Sequence, residues 1–236
     1  MQHFIDMSLS EKELKYAVPQ HSFPSVLLSL NSQLERDSSF ESVYVHSLYF
    51  DTDNYDFAME KAASDFYKNK VRVRFYSSKR DPYLSTPNEY YLELKSKEGS
   101  KRVKHRERID CSNSSFFDII KETNFITFIN NKIKVIAPHL ALNLKPQFFL
   151  SYKRERFTDT FSGSRIALDH DIIAKKWLYN NHHMINEYAL EKNVLEVKGK
   201  SDQLPVNLNH LSYFDVRVDA FSKYYQCFIG LTGYDQ

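Results

Sequence analysis

Five short stretches of the chain place charge at every second residue. They are Glu11-Lys12-Glu13-Leu14-Lys15, Arg72-Val73-Arg74, Glu93-Leu94-Lys95, Tyr152-Lys153-Arg154 and Glu196-Val197-Lys198. Side chains alternate across a β-strand, so each stretch projects its charged groups from one face. Arg and Lys suit phosphate, with Arg offering a two-pronged donor set. A carboxylate set singly among such cations can help hold a divalent ion. Rows of this kind, turned toward one space, would suit polyphosphate and its metal.

Those rows need strands to carry them. Over Lys70–Tyr76, Val71, Val73 and Phe75 oppose Arg72 and Arg74. Over Tyr90–Lys97, Leu92 and Leu94 oppose Glu93 and Lys95. Ile166 and Leu168 oppose Arg165 and Asp169 over Ser164–His170, while Leu195 and Val197 oppose Glu196 and Lys198 over Asn193–Lys198. An antiparallel sheet with one face in water is the commonest source of such alternation. Three features weigh the other way: the charged faces are rich in Arg, Glu stands singly among the cations, and several helical segments could cover the apolar face. A barrel wrapped by helices on its apolar outside turns its polar face inward.

Further strands are expected at Glu11–Val18, Val43–Asp51, Arg102–Asp110, Gln147–Phe157 and Val216–Val218. Helical periodicity marks Phe23–Arg36 through Val26, Leu27, Leu30 and Leu34. Helices are also expected near Asn54–Ala62, over Asn113–Thr123 behind a polar cap, over Thr127–Ala137 and over Ser222–Leu231. Leu204–Leu211 reads as a short helix or turn. The expected fold class is α+β: an antiparallel β-barrel of about eight strands forming a basic tunnel, with helices packed around the outside. In Lys101–Arg108, residues Arg102, Lys104, Arg106 and Arg108 share a face, which reads either as a nucleic-acid patch or as a strand entering the enclosed space, with Arg106 and Arg108 expected beyond it. Lys132 and Lys134 read as a solvated helix face, and Trp177 as a packing aromatic. His182 and His183 fall in a polar stretch read as a surface loop, with no third ligand at metal spacing.

With 236 residues, no internal repeat and no Pro/Gly-rich linker, residues 1–236 read as one domain. A 42% hydrophobic content excludes wholesale disorder. The formal net charge of +2 is too small for a typical nucleic-acid binder, so a polyanion site would need its cations gathered by the fold. Five glycines leave no phosphate loop of the glycine-rich kind. Cys111 and Cys227 lack metal spacing and read as reduced thiols. No apolar leader or membrane-length stretch is evident, and the expected location is cytoplasmic.

Taken in order, the motifs resemble a known family. Glu11-x-Glu13-x-Lys15 resembles the ExExK signature of the triphosphate tunnel metalloenzymes, the CYTH-like superfamily. Ser47–Asp51, Val71–Tyr76, Leu92–Lys95, Lys101–Lys104, Tyr152–Phe157, Arg165–Asp169, Val194–Lys198 and Phe221–Lys223 resemble its VTC branch, the polyphosphate polymerase domain. The likeness spans roughly residues 10 to 230. It implies that Arg72, Arg74, Lys95, Arg154, Arg165 and Glu196 form the catalytic set. It further implies Lys15, Lys104, Tyr152, Lys198, Ser222 and Lys223 as substrate-binding residues. Glu196 would be the main ligand of Mn²⁺ or Mg²⁺, with Glu13 and Glu11 as lesser ones. The implied partners are ATP and inorganic polyphosphate, with no nucleic acid and no membrane segment of the chain's own; a membrane-protein partner stays unassigned. No SPX domain is recognised, so the regulation and translocation of the eukaryotic complex are not carried over.

Phosphoryl transfer needs positioning and charge neutralisation more than covalent chemistry. An ionised phosphate acceptor requires no general base, which agrees with the lack of a Ser-His-Asp or Cys-His arrangement. Water as acceptor would need activation, and Glu11 and Glu13 could supply it. Polyphosphate synthesis, triphosphate hydrolysis and polyanion binding without turnover all stay open on these residues.

Overall fold

The computed structural model describes residues 4–5, 12–38, 42–63, 66–85, 87, 89–109, 115–121, 124–140, 143–178 and 183–234. Its elements run β1 (Phe4–Ile5), β2 (Lys12–Pro19), α1 (Phe23–Gln33), β3 (Glu35–Arg36), β4 (Val43–Asp51), α2 (Asp56–Ala63), β5 (Tyr67–Ser77), β6 (Tyr90–Glu98) and β7 (Lys101–Ile109). There follow α3 (Phe116–Lys121), α4 (Phe125–Ile136), β8 (Lys145–Asp159), β9 (Ser164–Leu178), β10 (His183–Ala189) and β11 (Lys192–Gly199). A 3₁₀ segment (Val206–Phe214), β12 (Arg217–Val218) and α5 (Lys223–Thr232) end the described chain.

All twelve strands among the described residues join one antiparallel sheet in the order β1-β7-β6-β5-β4-β8-β9-β11-β2-β12, with β10 on β9 and β3 on β8. Among the described residues no strand pair links the β12 end to the β1 end, so the barrel is curled but not closed. Consecutive strands β1 and β2 nonetheless stand far apart in this order, β1 at one end and β2 next to last. The chain between Ile5 and Lys12 can reach about 25 Å at most, which bounds the separation of these two strands.

Three apolar clusters hold the curl. Outside β4–β7, Leu48, Phe50, Val71, Val73, Phe75, Leu92 and Leu94 pack under α3 and α4 through Phe116, Phe117, Ile120, Ile129 and Ile133. Outside β2, β9 and β11, Leu168, Leu195 and Val197 meet Val26 and Leu30 of α1 and Leu208 and Leu211 of the 3₁₀ segment. The third cluster lies on the inner face at one end. There Val45, Tyr49, Phe148, Leu150 and Val194 pack against Tyr224, Cys227 and Phe228 of α5. Thus α1, α3 and α4 cover the outside as expected, whereas α5 fills one end of the barrel. Trp177 is buried in the first cluster, a packing residue as its sequence setting indicated.

Asp51 ties that end together. It is fully buried, and its carboxylate accepts the amides of Thr52 at 2.8 Å, Phe57 at 3.0 Å and Ala58 at 3.1 Å, along with the Tyr224 hydroxyl. It therefore caps α2 and anchors α5 from the end of β4. Burial raises its pKa while these four donors oppose the rise.

Three sequence expectations need correction. The first helix ends at Gln33 rather than Arg36, because Glu35 and Arg36 pair with Thr158 and Phe157 of β8. The expected strand Ser164–His170 continues to Leu178, passing Asp171 at φ 50° beside an irregularity in the β8 ladder. The stretch read as a loop around His183 forms β10 on β9, with Asn186 at φ 46° where the register shifts. Asp and Asn tolerate this left-handed backbone, so polar residues that resemble a turn instead mark bulges. Cys111 and His182 lie outside the described residues. No helix among the described residues is long and apolar enough to cross a membrane.

Replacing Asp51 by Ala would strand three amides and the Tyr224 hydroxyl. Urea unfolding of Asp51→Ala should show a loss of about 2–4 kcal/mol, and Tyr224→Phe a smaller one of about 1 kcal/mol. Equal stability of Asp51→Ala and wild type would remove this anchor.

Candidate functional site

The inner face of the curled sheet encloses a cavity of about 470 Å³. Strand β2 contributes Glu13 and Lys15; β5 contributes Lys70, Arg72, Arg74 and Tyr76; β6 contributes Glu93 and Lys95. Lys104 and Arg106 come from β7, Tyr152, Arg154 and Arg156 from β8, Arg165 from β9, and Glu196 and Lys198 from β11. Ser222, Lys223 and Tyr224 at the start of α5 form the floor, with Tyr49 of β4 beside them. Among the described residues, twelve basic side chains line this space against four acidic ones, Glu13, Asp37, Glu93 and Glu196. A chain of nearly balanced net charge thereby gathers a concentrated positive field.

Strand register positions the counter-charges. Arg72 stands directly opposite Glu93 across β5 and β6, and Arg154 directly opposite Asp169 across β8 and β9. Arg72 donates to Glu93 through Nε at 2.8 Å and Nη2 at 2.6 Å, and to the Tyr49 hydroxyl at 2.8 Å. Glu93 is 1% exposed and also lies 3.7 Å from Arg106, 3.9 Å from Arg74 and 4.0 Å from Lys104. Arg74 is oriented by Ser47 at 3.1 Å and the Tyr152 hydroxyl at 3.3 Å.

A second cluster occupies the floor. Arg154 makes a two-pronged contact with Asp169 at 2.5 and 2.6 Å, and reaches Glu196 at 3.0 Å. Lys223 bridges the same two carboxylates, 2.6 Å from Asp169 and 3.0 Å from Glu196. Glu13 lies nearby, 3.3 Å from Lys15 and 3.7 Å from Lys198.

These neighbours set the protonation states. Burial would raise the Glu93 pKa, but Arg72, Arg74, Lys95 and Lys104 hold it far below the ordinary value. Glu196 is likewise held low against burial by Lys223 and Arg154, and Glu13 by Lys15 despite burial and the nearby charge of Glu196. The lysines move the other way. Burial lowers Lys95 well below its usual value, with Arg72 and Arg74 adding repulsion. Lys104 falls for the same first reason.

The residues present define what kind of metal they can hold. Among the described residues no three His, Cys, Asp or Glu groups gather as a metal cage. Glu196 and Glu13 are both ionised and both face the cavity. Mg²⁺ commonly binds one or two carboxylates plus waters and substrate phosphates, and these two glutamates fit that mode. Glu11 lies outside the described residues.

The thirteen other residues singled out from the sequence all line this one cavity. Arg106, expected beyond the lumen, also lines it and lies over the Tyr91 ring at 3.8 Å. Arg108 does lie apart, paired with Glu89 at 2.8 Å on an exposed edge. Lys132 is bound to Glu107 at 2.5 Å rather than simply solvated. Sequence reasoning gave no site role to Lys70, Tyr49, Tyr76, Arg156 or Asp169. Lys70 and Arg156 are one alternation step from assigned arginines, so the signal was there to extend. Tyr49 and Asp169 sit in quoted motifs, but their roles arise from partners on other strands.

Acid titration tests the Glu93 cluster. The folded protein keeps Glu93 ionised well below the ordinary 4.5, so the unfolded chain takes up that proton first. Its stabilisation is complete above pH 4.5 and is lost as pH falls below that value. Glu93→Gln should cost about 3–5 kcal/mol near neutrality, read from denaturant midpoints, and should flatten the acid-side decline. An unchanged acid profile would contradict the assignment.

A family model described as VTC domain matches residues 10–231. Among solved structures, a proposed adenylate cyclase from Bacillus halodurans is similar at TM-score 0.54 and 14% identity, over 93% of this chain and 99% of that one. A proposed adenylyl cyclase from Hippeastrum, described as having a dominant triphosphatase activity, is similar at TM-score 0.50 and 15% identity, over 97% and 98% of the two chains. At such identities the likeness concerns the fold. No curated protein matches the chain significantly.

Proposed function

This chain belongs to the VTC domain family, and from that premise we propose that it is a metal-dependent polyphosphate polymerase. It would move the γ-phosphate of ATP onto the end of an inorganic polyphosphate chain, releasing ADP. The observation that carries this reading is the excess of cations in one cavity, twelve basic against four acidic side chains among the described residues. That excess surpasses what a single triphosphate needs and suits a donor and an acceptor held together. Each charge-assisted contact is worth about 1.5–3 kcal/mol, enough to offset repulsion between two polyanions.

The carboxylates favour transfer over hydrolysis. Glu13, Glu93 and Glu196 are all held ionised by cations, which makes them weak bases toward water. A terminal phosphate oxygen arrives already ionised and needs no base. In this reading Arg72, Arg74, Lys95, Arg154 and Arg165 orient the reacting phosphates and neutralise developing charge. Lys15, Lys104, Lys198, Lys223, Tyr152 and Ser222 bind the remainder of the chain. Glu196, assisted by Glu13, would hold Mn²⁺ or Mg²⁺, which when bound supplies charge neutralisation across phosphate oxygens. Use of ATP agrees with a cytoplasmic location. Hydrolysis of a triphosphate is the second reading, motivated by the activity described for the Hippeastrum protein of shared fold.

Purified protein with ATP and Mn²⁺, with and without a short polyphosphate primer, separates the readings on a gel. Growth of the primer is expected; phosphate release without growth would favour the hydrolase, and binding without turnover a passive module. Glu196→Gln should abolish metal-dependent turnover while retaining primer binding. Arg74→Ala should weaken triphosphate binding about ten- to a hundredfold.

A further inference from the structure

Lys70 differs from most of its neighbours in the lumen. Arg72, Arg154, Lys15 and Lys223 each have a carboxylate within ion-pair distance. Among the described residues Lys70 has none. Its ammonium donates to Ser222 Oγ at 2.9 Å and stands 5.8 Å from the centre of the Tyr224 ring. Directly opposite it in the β5–β6 ladder is Lys95, another cation, and like charges so placed repel. The carboxylate at the end of β4, Asp51, is already committed to α2 amides and the Tyr224 hydroxyl. This corner of the floor holds positive charge without its counter-charge.

Ser222 adds a direction. Its Oγ accepts from Lys70 and also from the Tyr225 amide at 3.3 Å, as the N-cap of the ten-residue helix α5. Both lone pairs are thereby used, which leaves the hydroxyl proton to donate. Among the described residues, a cation lacking an anion and a hydroxyl lacking an acceptor therefore meet at one place, beside a helix N-terminus that favours negative charge.

We propose that Lys70 is a phosphate-binding residue and, with Ser222, seats a phosphate group of the substrate at the floor of the lumen. The inference rests on the polyphosphate reading above and adds a residue that reading does not use. Burial first, then the charges of Lys15, Arg72, Lys68 and Lys223, bring the Lys70 pKa down to about 7 in the ligand-free protein. Lys95 across the ladder bears the same sign. A bound phosphate would reverse that balance and restore the proton, so binding above neutrality should take up a proton at Lys70.

Tripolyphosphate without metal is the probe, titrated by calorimetry at mildly alkaline pH in two buffers of different ionisation heat. Lys70→Met should bind at least about tenfold more weakly and take up about one proton fewer than wild type. Lys70→Arg, which stays charged, should keep the affinity and lose the same uptake. Thermal melting of Lys70→Met should be unchanged or higher, since a partly buried group repelled by its neighbours is removed. Should it melt lower, Lys70→Arg decides: wild-type proton uptake in that variant overturns the proposal. Wild-type affinity and uptake in Lys70→Met overturn it as well, with the polyphosphate reading intact. Failure of the wild-type protein to bind tripolyphosphate overturns that reading, and this inference with it.

Discussion

Mutual repulsion among cations inside a curled sheet is the constraint that the rest of the molecule must satisfy. Two unit charges 4 Å apart repel by about 4 kcal/mol at the screening typical of a protein surface, and twelve basic groups share this lumen. Burying them requires counter-charges placed with equal care. Antiparallel register supplies these by setting Glu93 opposite Arg72 and Asp169 opposite Arg154. Glu196 stands opposite Lys15 and Glu13 opposite Lys198. Each of these acids offsets the charge of the base across from it.

The apolar clusters supply the drive that keeps the sheet curled around this charge. Helices α3 and α4 cover one outer flank, and α1 with the 3₁₀ segment covers another. The C-terminal helix does a different job, bringing its own apolar face inside to close one end. Its first turn thereby delivers Ser222, Lys223 and Tyr224 to the floor. Asp51 links that delivery to β4 and α2, so a residue outside the lumen determines where the floor stands.

The cavity consequently divides by how its cations are balanced. Arg154 and Lys223 share Asp169 and Glu196 in a cross-linked, rigid cluster. Glu93 anchors the arginines of β5 and a rim of β7 cations. Lys70 and Lys95 face each other without ion pairs of their own among the described residues. Paired cations are pre-oriented and cost little to organise on binding, whereas the unpaired ones gain most from an incoming anion. A polyanion would meet both kinds at once.

Much of this was legible residue by residue. Val71, Val73 and Phe75 opposing Arg72 and Arg74 is a local property of a strand, and thirteen of the fourteen residues singled out line one cavity, with Glu11 outside the described residues. The continuation of β9 past Asp171 and the strand β10 were not legible, because Asp and Asn at positive φ look like turn residues unless the partner strand is seen. Nor could sequence spacing tell Lys70 from Arg72, since a counter-charge is a matter of which strand lies alongside. The sequence by itself determined which side chains share a face, through the two-residue period of the extended chain. Only the tertiary structure decided that the charged faces turn inward, which cations are matched, and that α5 closes the floor, because curvature, register and helix placement arise from contacts far apart in the chain.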